Sequence, residues 1–196
     1  MRLHRDTSMY GWALLGGVGA ISLAMTLVEQ NLGELFRYER AAVLQGQLWR
    51  LISGHLVHAG LTHWLMNMAA LGLMCLLFPT VLCGWRAVLF LFSLCLMTSL
   101  GLLLFYPQLG WFVGLSGVLH GVFAVGALRL LATERLYGLL LLGLLVIKLG
   151  FEQMYGAVPG SRSMTGVGVV VEAHLVGALS GVVCWVLAGS ICRRRR

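Results

Sequence analysis

Charge is what this chain lacks most. Of its 196 residues only 11% are charged, against 59% hydrophobic, and the mean hydropathy is +0.90. A soluble domain of this length needs far more charge to cover its surface, which excludes a soluble globular fold. Apolar runs of roughly 20 residues recur instead, the signature of helices that span a bilayer. Two further absences matter: there is a single aspartate, Asp6, and no Cys-x-x-Cys pair. The five cysteines (Cys75, Cys83, Cys95, Cys184 and Cys192) lie inside apolar segments or beside their cytoplasmic ends. They read as free thiols packed as small hydrophobes, with neither a disulfide framework nor a zinc site expected. The net charge of +7 comes from arginines scattered between apolar runs or massed at the C-terminus. Those positions fit topology signals, so no nucleic-acid partner is expected.

Taken in order, the apolar runs predict an all-α polytopic membrane protein with six transmembrane helices, at about 10–28, 61–78, 85–106, 115–131, 136–150 and 167–191. Pro79 and Pro107 close the second and third. The first run follows Arg2 and Arg5, and Ser22-Leu23-Ala24 offers a signal-peptide reading, but apolar character continues to Val28, which favours a retained anchor. The stretch 29–60 is the longest polar one, and its apolar residues suggest short amphipathic pieces at the membrane surface. With six spans, nine arginines (Arg2, Arg5, Arg86, Arg129, Arg135 and Arg193 to Arg196) share the side of both termini. The other side holds Arg37, Arg40, Arg50, Lys148 and Arg162, so both termini are expected in the cytoplasm. No internal repeat interrupts 1–196, which reads as a single domain.

Ionisable groups inside spans are costly and are functional candidates by default. His63, His120, Glu172 and His174 are such groups here, joined by Ser116 and Asn67. Three segments distant in sequence bring Ser116, His174 and the His63/Asn67 pair to one depth at the outer ends of spans four, six and two. His63 and Asn67 are four residues apart and share a helix face, as do Ser116 and His120. Gly117 and Gly121 on span four, and Gly177, Ala178 and Gly181 beside His174 on span six, make small-residue stripes that let membrane helices approach closely. Such packing would bring an imidazole base to a serine that is a poor nucleophile without one. No third member is expected. Asp6 lies on the far side, and Glu172 is two residues from His174, where side chains point apart and an interfacial charge is the plainer role. Asn67, His63 and the Ser116 backbone N–H are candidate donors to an oxyanion. Two plainer readings stand beside this one: a serine bonded back to its own helix, and a metal or haem cluster of His55, His58 and His63, which no carboxylate accompanies.

Three pieces, WRLISGHLVHAGLTHWLMN (49–67), GLSGVLHG (114–121) and AHLVGALSG (173–181), together resemble the rhomboid family of intramembrane serine proteases. In order they look like its W-R loop and H-x-x-x-x-H-x-x-x-N motif, then G-x-S-G-x-x-x-G and A-H-x-x-G-x-x-x-G. The resemblance implies a six-helix rhomboid-like bundle with Ser116 as nucleophile and His174 as general base. It also implies His63 and Asn67 at the oxyanion, Gly114 and Gly117 allowing close approach, and His58 organising a water-accessible cavity. Span five and residues 151–166 would correspond to a gate and cap. Many rhomboids carry an aromatic four residues after the serine, where this chain has His120, which would bond or stack on His174 or fill the aromatic's place. GLSGVLHG and the small six-span body look like the rhombosortase subgroup, whose clients end in Gly-Gly, a hydrophobic span and basic residues. The expectation is therefore a sorting endopeptidase acting on transmembrane client proteins in the lipid bilayer. It would sit in a bacterial inner membrane with the site toward the periplasm, and it would need no metal or organic cofactor. The rival is a catalytically silent rhomboid-like protein that binds transmembrane clients; its expected mark is loss of the serine or the histidine.

Overall fold

The computed structural model describes residues 2–161 and 167–193. Among these the chain forms eight helices and one two-stranded ribbon: α1 (Arg2–Leu32), β1 (Tyr38–Glu39), α2 (Arg40–Leu44), α3 (Arg50–Leu56), α4 (Leu61–Leu77), α5 (Gly84–Phe105), β2 (Trp111–Phe112), α6 (Ser116–Thr133), α7 (Arg135–Tyr155) and α8 (Val171–Arg193). The protein is all-α, and its apolar helices make it an integral membrane protein. The expected residues Arg162 and Arg194 to Arg196 and the side chain of Cys192 lie outside the described residues; Cys75, Cys83, Cys95 and Cys184 are free thiols.

Among the described residues four helices qualify by length and composition to cross a bilayer, α1 from Met9, α5, α6 and α7, or five when the bent pair α3 and α4 is counted as one span. The expected six are not all counted among the described residues. The second expected span, α4, has 17 residues and so is about 26 Å long, a little under a typical hydrocarbon core. It follows α3 across a 93° bend, and the two make one broken segment. The described apolar part of α8 ends at Leu187.

The helix boundaries follow stop signals, and one was misjudged from sequence. α7 was expected to end at Gly150, yet it continues through Phe151, Glu152 and Gln153 to Tyr155. Gly156, with φ +81, is the residue that leaves the helix in the left-handed region, where glycine carries no Cβ penalty. Lys148, expected on the outer side, and Glu152 sit in the same helix.

α6 and α8 form the most extensive helix pair. A Cβ on Gly117 would lie 2.7 Å from the Ala173 carbonyl oxygen, one on Gly121 equally close to that of Gly177, and one on Gly177 would collide with the Gly117 carbonyl. The stripe thus permits direct backbone contact, as its spacing predicts. Leu71 of α4, Leu94 of α5 and Val118 and Val122 of α6 fill the core beside it, each fully buried.

α1 packs along α4 and passes unbroken across Ser22 to Met25. The Trp64 indole donates to Ser22 Oγ (2.9 Å), and the His58 N–H donates to Thr26 Oγ1 (3.0 Å), both hydroxyls being buried. The polar stretch 29–60 carries the short helices α2 and α3 and is tied inward by its polar side chains. Arg50 is buried and donates to the carbonyls of Arg37 (2.8 Å) and Glu34 (2.9 Å) and to the Gln47 side chain (2.7 Å). Glu29 accepts from the N–H groups of Phe36 and Arg37. β1 pairs antiparallel with β2, and Tyr38 stacks on Phe112 at 4.6 Å. These bonds satisfy polar groups that would otherwise need water, so the stretch folds inward and braces the loop that precedes Ser116.

Candidate active site

Ser116 opens α6, and the chain reaches it through Gly114, whose φ is +112. The Gly114 N–H donates to the Gly54 carbonyl (3.0 Å), which ties this loop to α3. A Cβ at Gly114 would lie 2.6 Å from His63 Cε1, so both the backbone angle and the neighbouring ring require glycine. As the first helical residue, Ser116 has a backbone N–H without a partner within its own helix, pointing where a developing anion is favoured.

His174 lies in the first turn of α8, buried to 5% exposure. Its Nε2 is 3.0 Å from Ser116 Oγ, a contact delivered by the α6–α8 glycine stripes. On the other side of the ring, Nδ1 is 2.9 Å from Glu152 Oε2 of α7. Glu152 is itself 3% exposed, and the same oxygen accepts from Lys148 Nζ at 2.7 Å; that ammonium is 3.5 Å from Nδ1. An ionised carboxylate only accepts hydrogen bonds, so Nδ1 carries the proton. Nε2 of the neutral ring then accepts, and the Ser116 hydroxyl donates to it. The structure therefore places a third polar group where none was expected: Glu152, His174 and Ser116 lie in line. Sequence reasoning missed it because ending span five at Gly150 placed Glu152 in a loop. The available signal was the i,i+4 pair Lys148/Glu152, two opposite charges on one face of a long apolar helix. Glu172, by contrast, is half-buried in the first turn of α8, where a helix N-terminus favours negative charge.

His63 and Asn67 of α4 line the same cavity as Ser116, of about 460 Å³. His63 Nδ1 accepts from the Ala59 N–H at 3.4 Å, which leaves Nε2 as the donor, and that edge of the ring abuts Gly114. Asn67 uses one amide N–H on the His63 carbonyl (3.0 Å) and keeps the other. His120 stacks on His174, with centroids 4.2 Å apart and planes 17° from parallel, while its Nδ1–H donates to the Ser116 carbonyl (2.7 Å). It therefore occupies the stacking position and makes no bond to His174.

His58 stands edge-on to His63 at 5.0 Å, its Nδ1–H donating to the Leu56 carbonyl. Burial, with the nearby His63 as a lesser cause, pushes its pKa down to about 3, so the ring is neutral near pH 7. His55 is turned away, its Nε2–H shared between the Cys95 carbonyl (3.1 Å) and Ser99 Oγ (2.9 Å). The proposed trio of His55, His58 and His63 is not gathered. The metal-capable group among the described residues is His120, Glu152 and His174, with ligand atoms within 4.8 Å of one another. Those atoms already face the serine, the lysine and one another.

A second, apolar cavity of about 430 Å³, lined by Met74, Phe123, Leu144 and Leu145, adjoins the first across His120 and Lys148. The two cavities also share Ala70 and Leu119 in their walls. The family model for the rhomboid domain matches residues 45–190. No individual curated protein matches the chain.

Proposed function

Because this chain belongs to the rhomboid family, generally intramembrane serine proteases, we propose that it is an intramembrane serine endopeptidase in which Ser116 is the nucleophile and His174 the general base. The observation that carries the reading is the 3.0 Å contact between Ser116 Oγ and His174 Nε2 at the wall of a cavity inside the helix bundle. Ser116 Oγ attacks the scissile carbonyl carbon as its proton passes to Nε2. The tetrahedral oxyanion is held by the Ser116 N–H, His63 Nε2–H and the free Asn67 N–H. Collapse breaks the C–N bond, and His174 returns the proton to the leaving amine. Water then hydrolyses the acyl ester by the same proton route. General-base assistance of this kind contributes about 10²- to 10⁴-fold in rate.

In this reading α4 and α8 cross the membrane with α1, α5, α6 and α7, giving one six-span domain over 1–196 with α1 retained. Both termini are cytoplasmic, and the site opens toward the periplasmic side of a bacterial inner membrane. GLSGVLHG supports the rhombosortase subgroup, hence clients with a Gly-Gly, hydrophobic, basic C-terminal tail; the apolar cavity beside the serine fits a helical client arriving from lipid. The silent client-binding alternative is disfavoured, because a protein that only holds clients has no need of a hydrogen-bonded serine–histidine pair. The test is cleavage of a reporter bearing such a tail by the protein reconstituted in liposomes. Wild type cleaves it and Ser116→Ala does not; equal processing by both would remove the reading.

A further inference from the structure

The contact between Glu152 and His174 has consequences beyond the serine–histidine pair. We propose that Glu152 is a positioning residue of the hydrolytic site, holding His174 in its reactive tautomer and balancing the charge the ring gains, with Lys148 securing the carboxylate. This rests on the Ser116–His174 reading given above.

Geometry comes first. Glu152 Oε2, His174 and Ser116 Oγ lie in sequence, with contacts of 2.9 and 3.0 Å at opposite ring nitrogens. A second bond between the two helices supports this contact, since the side-chain amide of the next residue, Gln153, donates to the Val171 carbonyl at the start of α8 (3.1 Å). α7 and α8 are therefore clasped beside Glu152 and one turn before His174. Environment comes second. A carboxylate with 3% exposure inside a membrane bundle is expensive, and Lys148 at 2.7 Å supplies the partner that keeps it ionised. An i,i+4 ion pair serving α7 alone would not need to point at an imidazole on another helix.

The roles then follow with protons conserved. Before reaction, Glu152 accepts from Nδ1–H, which excludes the tautomer that would present Nε2–H to the serine and block it as a base. When the serine proton moves to Nε2, the imidazolium finds an adjacent negative charge. No proton passes to Glu152; the Nε2 proton leaves with the amine. Lys148 opposes this charge at 3.5 Å from Nδ1, so its part is to hold Oε2 in place.

The test uses the full chain in liposomes, reading the fluorophosphonate labelling rate together with kcat and KM on the tailed reporter. Glu152→Gln keeps shape and loses charge, and it is expected to lower kcat and labelling by about 10²- to 10⁴-fold with KM nearly unchanged. Glu152→Asp is expected to recover at least about tenfold of that loss, a rescue that a packing role does not give. A second readout needs no Glu152 variant: the wild type should show a downfield imidazole N–H resonance that vanishes in His174→Ala. Wild-type rates in Glu152→Gln, equal losses in Gln and Asp tracking thermal stability, or absence of that resonance would each overturn the proposal. Labelling that survives Ser116→Ala would instead strike the serine reading itself, so the two failures are separable.

Discussion

Two helices flank α6, and they meet it in opposite ways. α8 lies backbone to backbone on it through Gly117, Gly121, Gly177 and Gly181, with no room for a single added Cβ. α7 leaves α6 through a tight turn at Glu134, where Gly138 passes close under Leu131, and then runs largely exposed. Half of the α6 apolar window is buried, against 22% of that of α7. A Cβ added at Gly143 or Gly150 of α7 would meet nothing within 4 Å. Ser116 and His174 thus ride on a closely packed pair, while the Glu152 carboxylate arrives on a largely exposed helix. Backbone packing sets the 3.0 Å contact, whereas the third group is brought in by side chains, the packing of Leu145 and Leu149 against Ala124 and Ala178 and the polar bonds of Glu152.

That contrast can be broken most severely at the stripe. Gly177→Val drives a branched side chain into the Gly117 carbonyl, and we expect a loss of about 3 kcal/mol or more in unfolding stability, with activity lost as His174 is pushed from Ser116. Thermal unfolding in detergent reads it; a stable, active variant would show that the two helices are not held by that contact. Gly114→Ala comes next, combining a backbone angle unfavourable to alanine with a clash on His63. The strain is about 1–3 kcal/mol, and displacing His63, the proposed oxyanion donor, should slow labelling about 10²-fold.

A smaller and pH-dependent effect concerns the loop that joins α3 to α4. His58 has a folded pKa of about 3, depressed below the ordinary value of 6.5, so the unfolded chain binds the extra proton between these limits. Its contribution is present above pH 6.5 and lost as pH falls toward 3, about 2 kcal/mol between pH 7 and 5. A pH series of unfolding midpoints on wild type and His58→Gln checks this: the variant should show the shallower decline.

His120 sharpens the comparison at finer scale. His120→Phe keeps the stack on His174 and should retain substantial labelling, whereas His120→Ala should lose about tenfold. Complete loss in a folded His120→Phe would assign the imidazole a role beyond stacking. On the exposed helix, Gly143→Ala should stabilise by about 0.5–1 kcal/mol, the reverse of any change in the α6–α8 stripe.

What was legible in the sequence is what short-range pattern encodes. Ser116, His174, His63 and Asn67 could be placed because each lies at a helix end within a recognisable spacing, and the glycine stripes because their period is that of a helix face. The third polar group was hidden by one boundary. Gly150 looks like a stop, but glycine inside a membrane helix is tolerated, and only the positive φ of Gly156 ends α7. The interior of the 29–60 stretch was illegible for a different reason. Arg50 reaches back to carbonyls of Glu34 and Arg37, and β1 pairs with β2 some seventy residues on, contacts that no local periodicity reports. The count of crossings was also less secure than the run of apolar residues suggested, since α4 is short and continues a bent segment from α3.

The central claim is that Ser116 is activated by His174. It is tested most directly by labelling the purified 196-residue chain with a serine-directed fluorophosphonate beside Ser116→Ala and His174→Ala. The account predicts covalent labelling of the wild type that is abolished in both variants while their unfolding midpoints stay close to wild type. Absence of labelling in folded wild type, or labelling that persists without His174, would contradict it.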